Sequence, residues 1–150
     1  MAACPRGAGT PIRGLQPLAL PCLSGPGTVR VSAVHARAEV INVWASWCYP
    51  CRRETHLLAA LQRRAGNGVL FLGVDVKDSA ARARAFLADQ RVGYPQVTDR
   101  DGRFARALHL LGVPSTVVVD ASGRVRWRHD GQLGPADASE LLARLRAAAG

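Results

Sequence analysis

The sequence is short of features that mark several protein classes. Its apolar runs end far below the roughly 20 residues a bilayer span requires, so no segment reads as membrane-crossing. Cysteine occurs only 4 times in 150 residues. That is too few for a disulfide-dense mini-protein, and a chain of this length buries a core without such staples. The 15 glycines and 9 prolines follow no fixed period, which excludes collagen-like and low-complexity chains. The only methionine is Met1, which argues against a methionine-rich copper site. Lysine is nearly missing, since Lys77 is the single lysine among 20 basic residues. No second close cysteine pair and no pair of histidines at zinc-ligand spacing is present, so a zinc site lacks its four ligands. Internal repeats are absent.

What remains is the composition of one ordinary folded domain, 48% hydrophobic and 21% charged. The formal net charge is +9. The arginines are scattered from Arg6 to Arg146, adjacent only at Arg52-Arg53 and Arg63-Arg64, without interleaved aromatics. This pattern gives no expectation of nucleic-acid binding. Attraction to acidic partners or anionic lipid is the more natural consequence of such a charge.

Residues 1–28 read as an irregular lead-in, rich in glycine and proline, and residues 29–150 as one α/β domain. Thr28 to Val31 reads as a short strand. Val40 to Trp44 is a near-continuous apolar run, the pattern of a strand buried on both faces. Cys48-Tyr49-Pro50-Cys51 follows it and opens a long helix with Leu57, Leu58 and Leu61 inward, stopped by Gly66-Asn67-Gly68. Val69 to Val76 predicts a second buried strand, Ser79 to Gln90 a helix capped by Asp78 or Ser79, and Tyr94 to Val97 a short extended piece. A short helix over Phe104 to Leu111 ends at Gly112. Thr116 to Asp120 and Val125 to His129 form a hairpin whose last strand alternates Arg124, Arg126 and Arg128 with Val125, Trp127 and His129, a charged face suited to an edge. A helix from Asp137 to Ala149 closes the chain. Strands alternating with helices predict a sheet covered on both faces, antiparallel where the hairpin joins it.

The sharpest chemical signal is Trp47-Cys48-Tyr49-Pro50-Cys51 between a buried strand and a helix start. Two cysteines at this spacing can close a disulfide across one turn. The first sulfur sits among free N–H groups at the positive end of the helix dipole, which favours the thiolate, the nucleophilic form. The dipole contributes about 0.3–1 kcal/mol, hence about one pKa unit at most, so a larger shift needs direct hydrogen bonds. Pro50 fixes φ and removes one donor from the first turn. Cys48 is therefore read as the attacking thiol and Cys51 as the resolving thiol. Gly112-Val113-Pro114-Ser115-Thr116 precedes a strand and is compatible with a cis proline, although trans is the default.

On these residues the chain resembles the thioredoxin fold, and more narrowly the extracytoplasmic TlpA/ResA/CcmG-like thiol–disulfide oxidoreductases. The resemblance runs from about Pro17 to Gly134. It rests on Val43-Trp44-Ala45-Ser46-Trp47-Cys48-x-x-Cys51-Arg52-x-Glu54, on Leu72-Gly73-Val74-Asp75, and on Gly112-Val113-Pro114-Ser115-Thr116 with Val119-Asp120-x-x-Gly123. It implies a three-layer α/β/α sandwich around a central mixed sheet, with residues 77–98 as a helix-and-strand insert. It also implies a cis Pro114 facing Cys48, a Val113 backbone that binds substrate, and substrate contacts from Trp47, Tyr49 and Pro50. Glu54 would lie near the site and tune Cys51 or relay its proton; a first-turn glutamate complementing the dipole is the competing reading. Asn42 stands where plain thioredoxin has a buried aspartate, so proton transfer falls to Glu54 or water. His56 replaces a helix-kinking proline and reads as a surface or packing residue.

Cys4-Pro5 and Leu20-Pro21-Cys22 match a further pattern of this group, which implies a structural Cys4–Cys22 disulfide; the rival reading makes Cys4 a lipidated residue. Either implies an oxidising exterior, a secreted or membrane-anchored protein, and a secretory leader upstream of Met1. The activity implied is reduction of disulfides in exported proteins, including apocytochrome c, by a monomer without metal or other cofactor. A membrane thiol transporter of the CcdA/DsbD type would supply its electrons. Two alternatives stay open: an oxidant of the same fold, and a chaperone holding Cu(I) on Cys48 and Cys51.

Overall fold

A computed structural model describes all 150 residues. Its centre is β5 (Ala38–Trp44), every residue of which is buried. The apolar run at this position follows from that burial, because a strand with neighbours on both sides and helices on both faces has no wet face. β6 (Val69–Val76) pairs parallel to it, Ala38 opposite Val69 through Trp44 opposite Asp75. β7 (Gln96–Asp99) extends the sheet parallel to β6. On the other side β8 (Ser115–Asp120) runs antiparallel to β5, and β9 (Val125–Asp130) antiparallel to β8. The sheet order is β7-β6-β5-β8-β9.

Helix α1 (Tyr49–Arg64) follows β5, α2 (Ala80–Asp89) follows β6, the short α3 (Arg103–Ala107) follows β7, and α4 (Pro135–Ala149) follows β9. Ser79 caps α2 by accepting from Arg82 N at 3.2 Å. Arg63 and Arg64 lie in the last turn of α1, where cations complement the dipole. Leu58 and Leu61 of α1 and Leu141, Leu142 and Leu145 of α4 are buried in one core with the β5, β6 and β8 side chains, whereas Leu57 is only half-buried.

The structure departs from the sequence reading at five places. Residues 1–28 are not merely a lead-in. They carry β1 (Thr10–Pro11), which pairs with β4 (Ala33–Val34), and β2 (Ala19–Pro21), which pairs with β3 (Thr28–Arg30). Ile12, Leu20 and Leu23 from this segment are core residues, and burying them offsets the lost chain entropy. β7 begins two residues later than the extended piece read from Tyr94. Helix α3 ends at Ala107 rather than Leu111, because His109 takes a left-handed backbone at φ 55° that a helix cannot continue. Helix α4 begins at Pro135, a first-turn position that suits proline, rather than Asp137. The last strand is indeed an edge, but its arginines are not simply solvated. Arg126 pairs with Asp120 at 3.3 Å, Arg128 pairs with Asp130 at 3.1 Å, and the Arg128 guanidinium also donates to the carbonyls of Leu108 and His109.

Gly73 shows why one β6 position must lack a side chain. A Cβ there would collide with the side-chain amide of Gln96, which accepts from the buried Trp44 Nε1 at 2.9 Å. Trp44 in turn stacks on Phe86 of α2 at 4.9 Å.

Candidate active site

β5 delivers the chain to the end of the sheet, and Ala45–Trp47 turn it into α1. Cys48 is the N-cap of α1. Its Sγ accepts from Cys51 N at 3.2 Å, which is the direct hydrogen bond that a dipole alone does not supply. Cys48 and Cys51 are joined by a disulfide with Cα atoms 5.3 Å apart. Cys48 is 6% exposed and Cys51 0%, so both are buried and Cys48 alone of the pair keeps a remnant of exposure.

The turn before Cys48 is held by an unusual loop after β6. Lys77 takes a left-handed backbone at φ 49°, and its carbonyl accepts from Trp47 Nε1 at 2.9 Å. Asp78 accepts from Ser46 N at 2.7 Å and from Ser46 Oγ at 2.8 Å. These contacts fix Trp47 with its ring 58% exposed; Tyr49, 65% exposed, stands on the other side of Cys48. The Arg53 guanidinium lies 5.9 Å from the Tyr49 ring centre. Pro50 lies within the first turn of α1, as its fixed φ allows.

Val113-Pro114 is a cis peptide at the start of β8. The Pro114 carbonyl accepts from Gly131 N at 2.8 Å, and Ser115 Oγ donates to Gly112 O at 2.9 Å. Trp47 and Val113 line one groove of about 210 Å³ together with Lys77, Arg106, Leu110 and Leu111. The residue before Cys48 and the residue before Pro114 thus line a single depression. Leu111, 91% exposed, stands at its rim.

Glu54 is 1% exposed, so it is not a surface carboxylate complementing the dipole. Its Oε1 accepts from Asn42 Nδ2 at 2.9 Å and its Oε2 from Leu133 N at 2.8 Å. Burial pushes its pKa up to about 7; the Leu133 and Asn42 hydrogen bonds and the nearby His129 oppose that rise without cancelling it. Asn42 also donates to Thr116 Oγ1 at 3.1 Å. It therefore ties α1 to β8. His56 is exposed.

A second buried acid sits on β6. Asp75 is 0% exposed, and neither carboxyl oxygen has an N–H or hydroxyl donor. Burial first, and then the neighbouring Asp78, push it up to about 9, so it carries its proton at neutral pH; the hydrogen bonds that Asp78 receives hold that second carboxyl below its usual range. Sequence reasoning quoted Asp75 as part of a motif and Asp78 as a helix cap, and missed that Asp78 holds the Ser46 turn. The capping signal was visible, but a second set of donors 32 residues away leaves no local pattern.

Cys4 and Cys22 form a disulfide with Cα atoms 6.1 Å apart, far from α1 in the chain and outside the groove. Cys22 bridges Val97 of β7, and Leu23 N donates to Gln96 O at 2.8 Å. No three side chains of the His, Cys, Asp or Glu type converge in a metal-binding arrangement, and no helix is long and apolar enough to cross a membrane.

Comparison with known proteins gives consistent relatives. The Redoxin family matches residues 9–145. A protein named thiol:disulfide interchange protein DsbE from Pseudomonas fluorescens biotype C is 34% identical over 113 residues, which covers 75% of this chain and 62% of that protein. The chain therefore spans less than two thirds of the length of that relative. A solved structure described as a thiol:disulfide interchange protein DsbE from Chlorobium tepidum superposes with a TM-score of 0.81 at 26% identity, covering 95% of this chain and 100% of the other. A secreted disulfide oxidoreductase from Mycobacterium tuberculosis shares the fold, with a TM-score of 0.74 at 19% identity over 87% of this chain and 95% of that one.

Proposed function

The chain belongs to the Redoxin family and has the thioredoxin-like fold of thiol–disulfide oxidoreductases, and from that premise we propose that it exchanges disulfides with exported proteins through Cys48 and Cys51. The observation that carries this reading is the sulfur pair at the start of α1, one member keeping a remnant of exposure and the other none, beside a groove lined by Trp47 and Val113.

In the reducing direction the Cys48 thiolate attacks one sulfur of a substrate disulfide. A Cys48–substrate bond forms, the substrate S–S bond breaks, and the departing sulfur takes a proton. Cys51 then loses its proton and attacks Cys48. The mixed bond breaks, the second substrate sulfur leaves as a thiol, and the Cys48–Cys51 disulfide closes. The substrate gains two electrons and the protein loses two. Cys51 is buried and cannot hand its proton to bulk water directly. Glu54, one turn further along α1 with a pKa near 7, has the proton affinity to serve as acceptor at neutral pH. The backbone of Val113, before the cis bond, offers the substrate chain its hydrogen bonds, and Trp47, Tyr49 and Pro50 supply contact surface.

The Cys4–Cys22 pair serves as structural staple and not as redox centre in this proposal, and an oxidising exterior suits it. The protein acts there as a monomer, secreted or anchored, and a membrane thiol transporter of the CcdA/DsbD type resupplies its electrons. Apocytochrome c before haem attachment is one substrate class that fits. The test is an insulin-reduction assay combined with redox titration of the Cys48–Cys51 couple. Turnover abolished by Cys48→Ser supports the reading. A wild-type protein that neither reduces nor oxidises protein disulfides but binds Cu(I) tightly overturns it in favour of a copper chaperone. A potential near the oxidising end of the family range, roughly −120 mV rather than −270 mV, reverses the direction while keeping the site.

A further inference from the structure

The groove between Trp47 and Val113 is lined by apolar side chains and by two cations. Lys77 and Arg106 line it, and no acidic side chain does. The two cations are brought together by Gly102. Lys77 Nζ lies 3.7 Å and Arg106 Nη1 3.4 Å from the point where a Gly102 Cβ would stand. The one hydrogen bond either side chain makes is that of Arg106 to the Asp101 carbonyl at 2.7 Å, a neutral acceptor, and neither forms an ion pair. The far side of Trp47 repeats the pattern. Arg52 and Arg82 line a second depression against the same indole, and only Asp89, 4.0 Å from Arg52, faces them.

We propose that this surface selects its substrate: an extended polypeptide that places an apolar side chain between Trp47 and Val113 and a carboxylate, one to a few residues from its reactive cysteine, between Lys77 and Arg106. The inference rests on the disulfide-exchange reading above and adds the substrate class to it. Two exposed cations brought to one glycine without an ion-pair partner make a positive locus that a substrate carboxylate complements. The apolar lining anchors the segment, and the two cations set register and raise the encounter rate with acidic segments over basic ones. The left-handed backbone of Lys77 serves both parts, since its carbonyl pins the Trp47 indole while its side chain reaches towards Arg106. A lysine held in that conformation is costly for a surface loop, and such positions cluster at functional sites.

The test uses two synthetic peptides of equal length, each with one internal disulfide and a leucine beside the first cysteine. One carries Asp and Glu around the leucine and the other carries Lys. Neutral hydroxyethyl disulfide is the third substrate. The proposal expects kcat/KM for the acidic peptide to exceed that for the lysine peptide by about tenfold at low salt. That ratio collapses towards one at high salt and in the Lys77→Gln/Arg106→Gln variant. Equal kcat/KM for both peptides on the wild type overturns the proposal while leaving disulfide exchange intact. A ratio that persists in the double variant, with loss only of binding to vesicles of phosphatidylglycerol, assigns the cations to a lipid surface and also overturns it. Failure of the wild type to reduce even hydroxyethyl disulfide overturns the exchange reading and this one with it.

Discussion

Glu54 offers the sharpest test of the site's electrostatics, because its pH dependence can be read in the oxidised protein, where no thiol titrates. The carboxyl titrates at about 7 in the folded chain, against 4.5 for the ordinary side chain. A group whose folded pKa lies above its unfolded one holds its proton more tightly in the native state. Its contribution is complete below the unfolded value and is lost as pH rises through the folded value. The interval of about 2.5 units, at about 1.36 kcal/mol each, amounts to roughly 3 kcal/mol lost between pH 4.5 and pH 8. Glu54→Gln keeps the shape and removes the titration. It has one acceptor oxygen for two donors, Asn42 Nδ2 and Leu133 N, so at pH 5 the variant is less stable by about 1–2 kcal/mol. By pH 8 the deficit has vanished or reversed. Urea unfolding of the oxidised wild type and variant across pH 4.5–9 measures the crossing. His35, whose pKa is raised chiefly by the Glu39 carboxylate 3.7 Å from its ring, loses stability in the same direction in both proteins and cancels in the difference. Parallel curves for the two proteins over the whole range refute the assignment of a raised pKa to Glu54.

Three further outcomes follow from named contacts. Cys4→Ser/Cys22→Ser opens a loop of 18 residues and lowers unfolding free energy by about 3 kcal/mol in the chain-entropy model, while insulin turnover persists; chemical denaturation beside the activity assay measures both. Asp75→Asn replaces a buried acid that titrates at about 9 and stabilises the protein by about 1–3 kcal/mol at pH 8. The gain shrinks as pH falls to the ordinary value of 3.8 and vanishes at about pH 2.5, where the acid is protonated folded and unfolded alike, and thermal melts at the two pH values check the sign. Gly73→Ala drives a Cβ into the Gln96 amide and frees the buried Trp44 Nε1–H, destabilising by about 2–4 kcal/mol; tryptophan fluorescence during unfolding reports both the loss and its place.

The sheet was legible because each central strand writes itself locally. The near-continuous apolar run at Val40–Trp44, broken by Asn42, and the one at Val69–Val76, broken by Gly73 and Asp75, are what two-sided burial demands. Cys48 and Cys51 were legible because a strand, two cysteines at one-turn spacing and a helical stripe occur in sequence order. The burial of Glu54 was not, since its donors come from β5 and from residue 133, both distant in the chain. The packing of residues 1–28 was hidden for a related reason: β1 and β2 are too short to show alternation, and their partners lie outside the segment. The early end of α3 depends on a left-handed His109, a conformation histidine adopts without advertising it.

The two margins of the sheet are closed by different means. Along β7 the edge amide and carbonyl of Gln96 are taken by Ser24 Oγ and Leu23 N, on a ribbon locked down by Cys4–Cys22. Along β9 the guanidinium groups of Arg126 and Arg128 stand outward on carboxylate partners. A protein that handles half-folded clients meets loose strands searching for a pairing partner. Pairing with such a strand is opposed at Gln96 on one margin and by the charged Arg126 and Arg128 on the other.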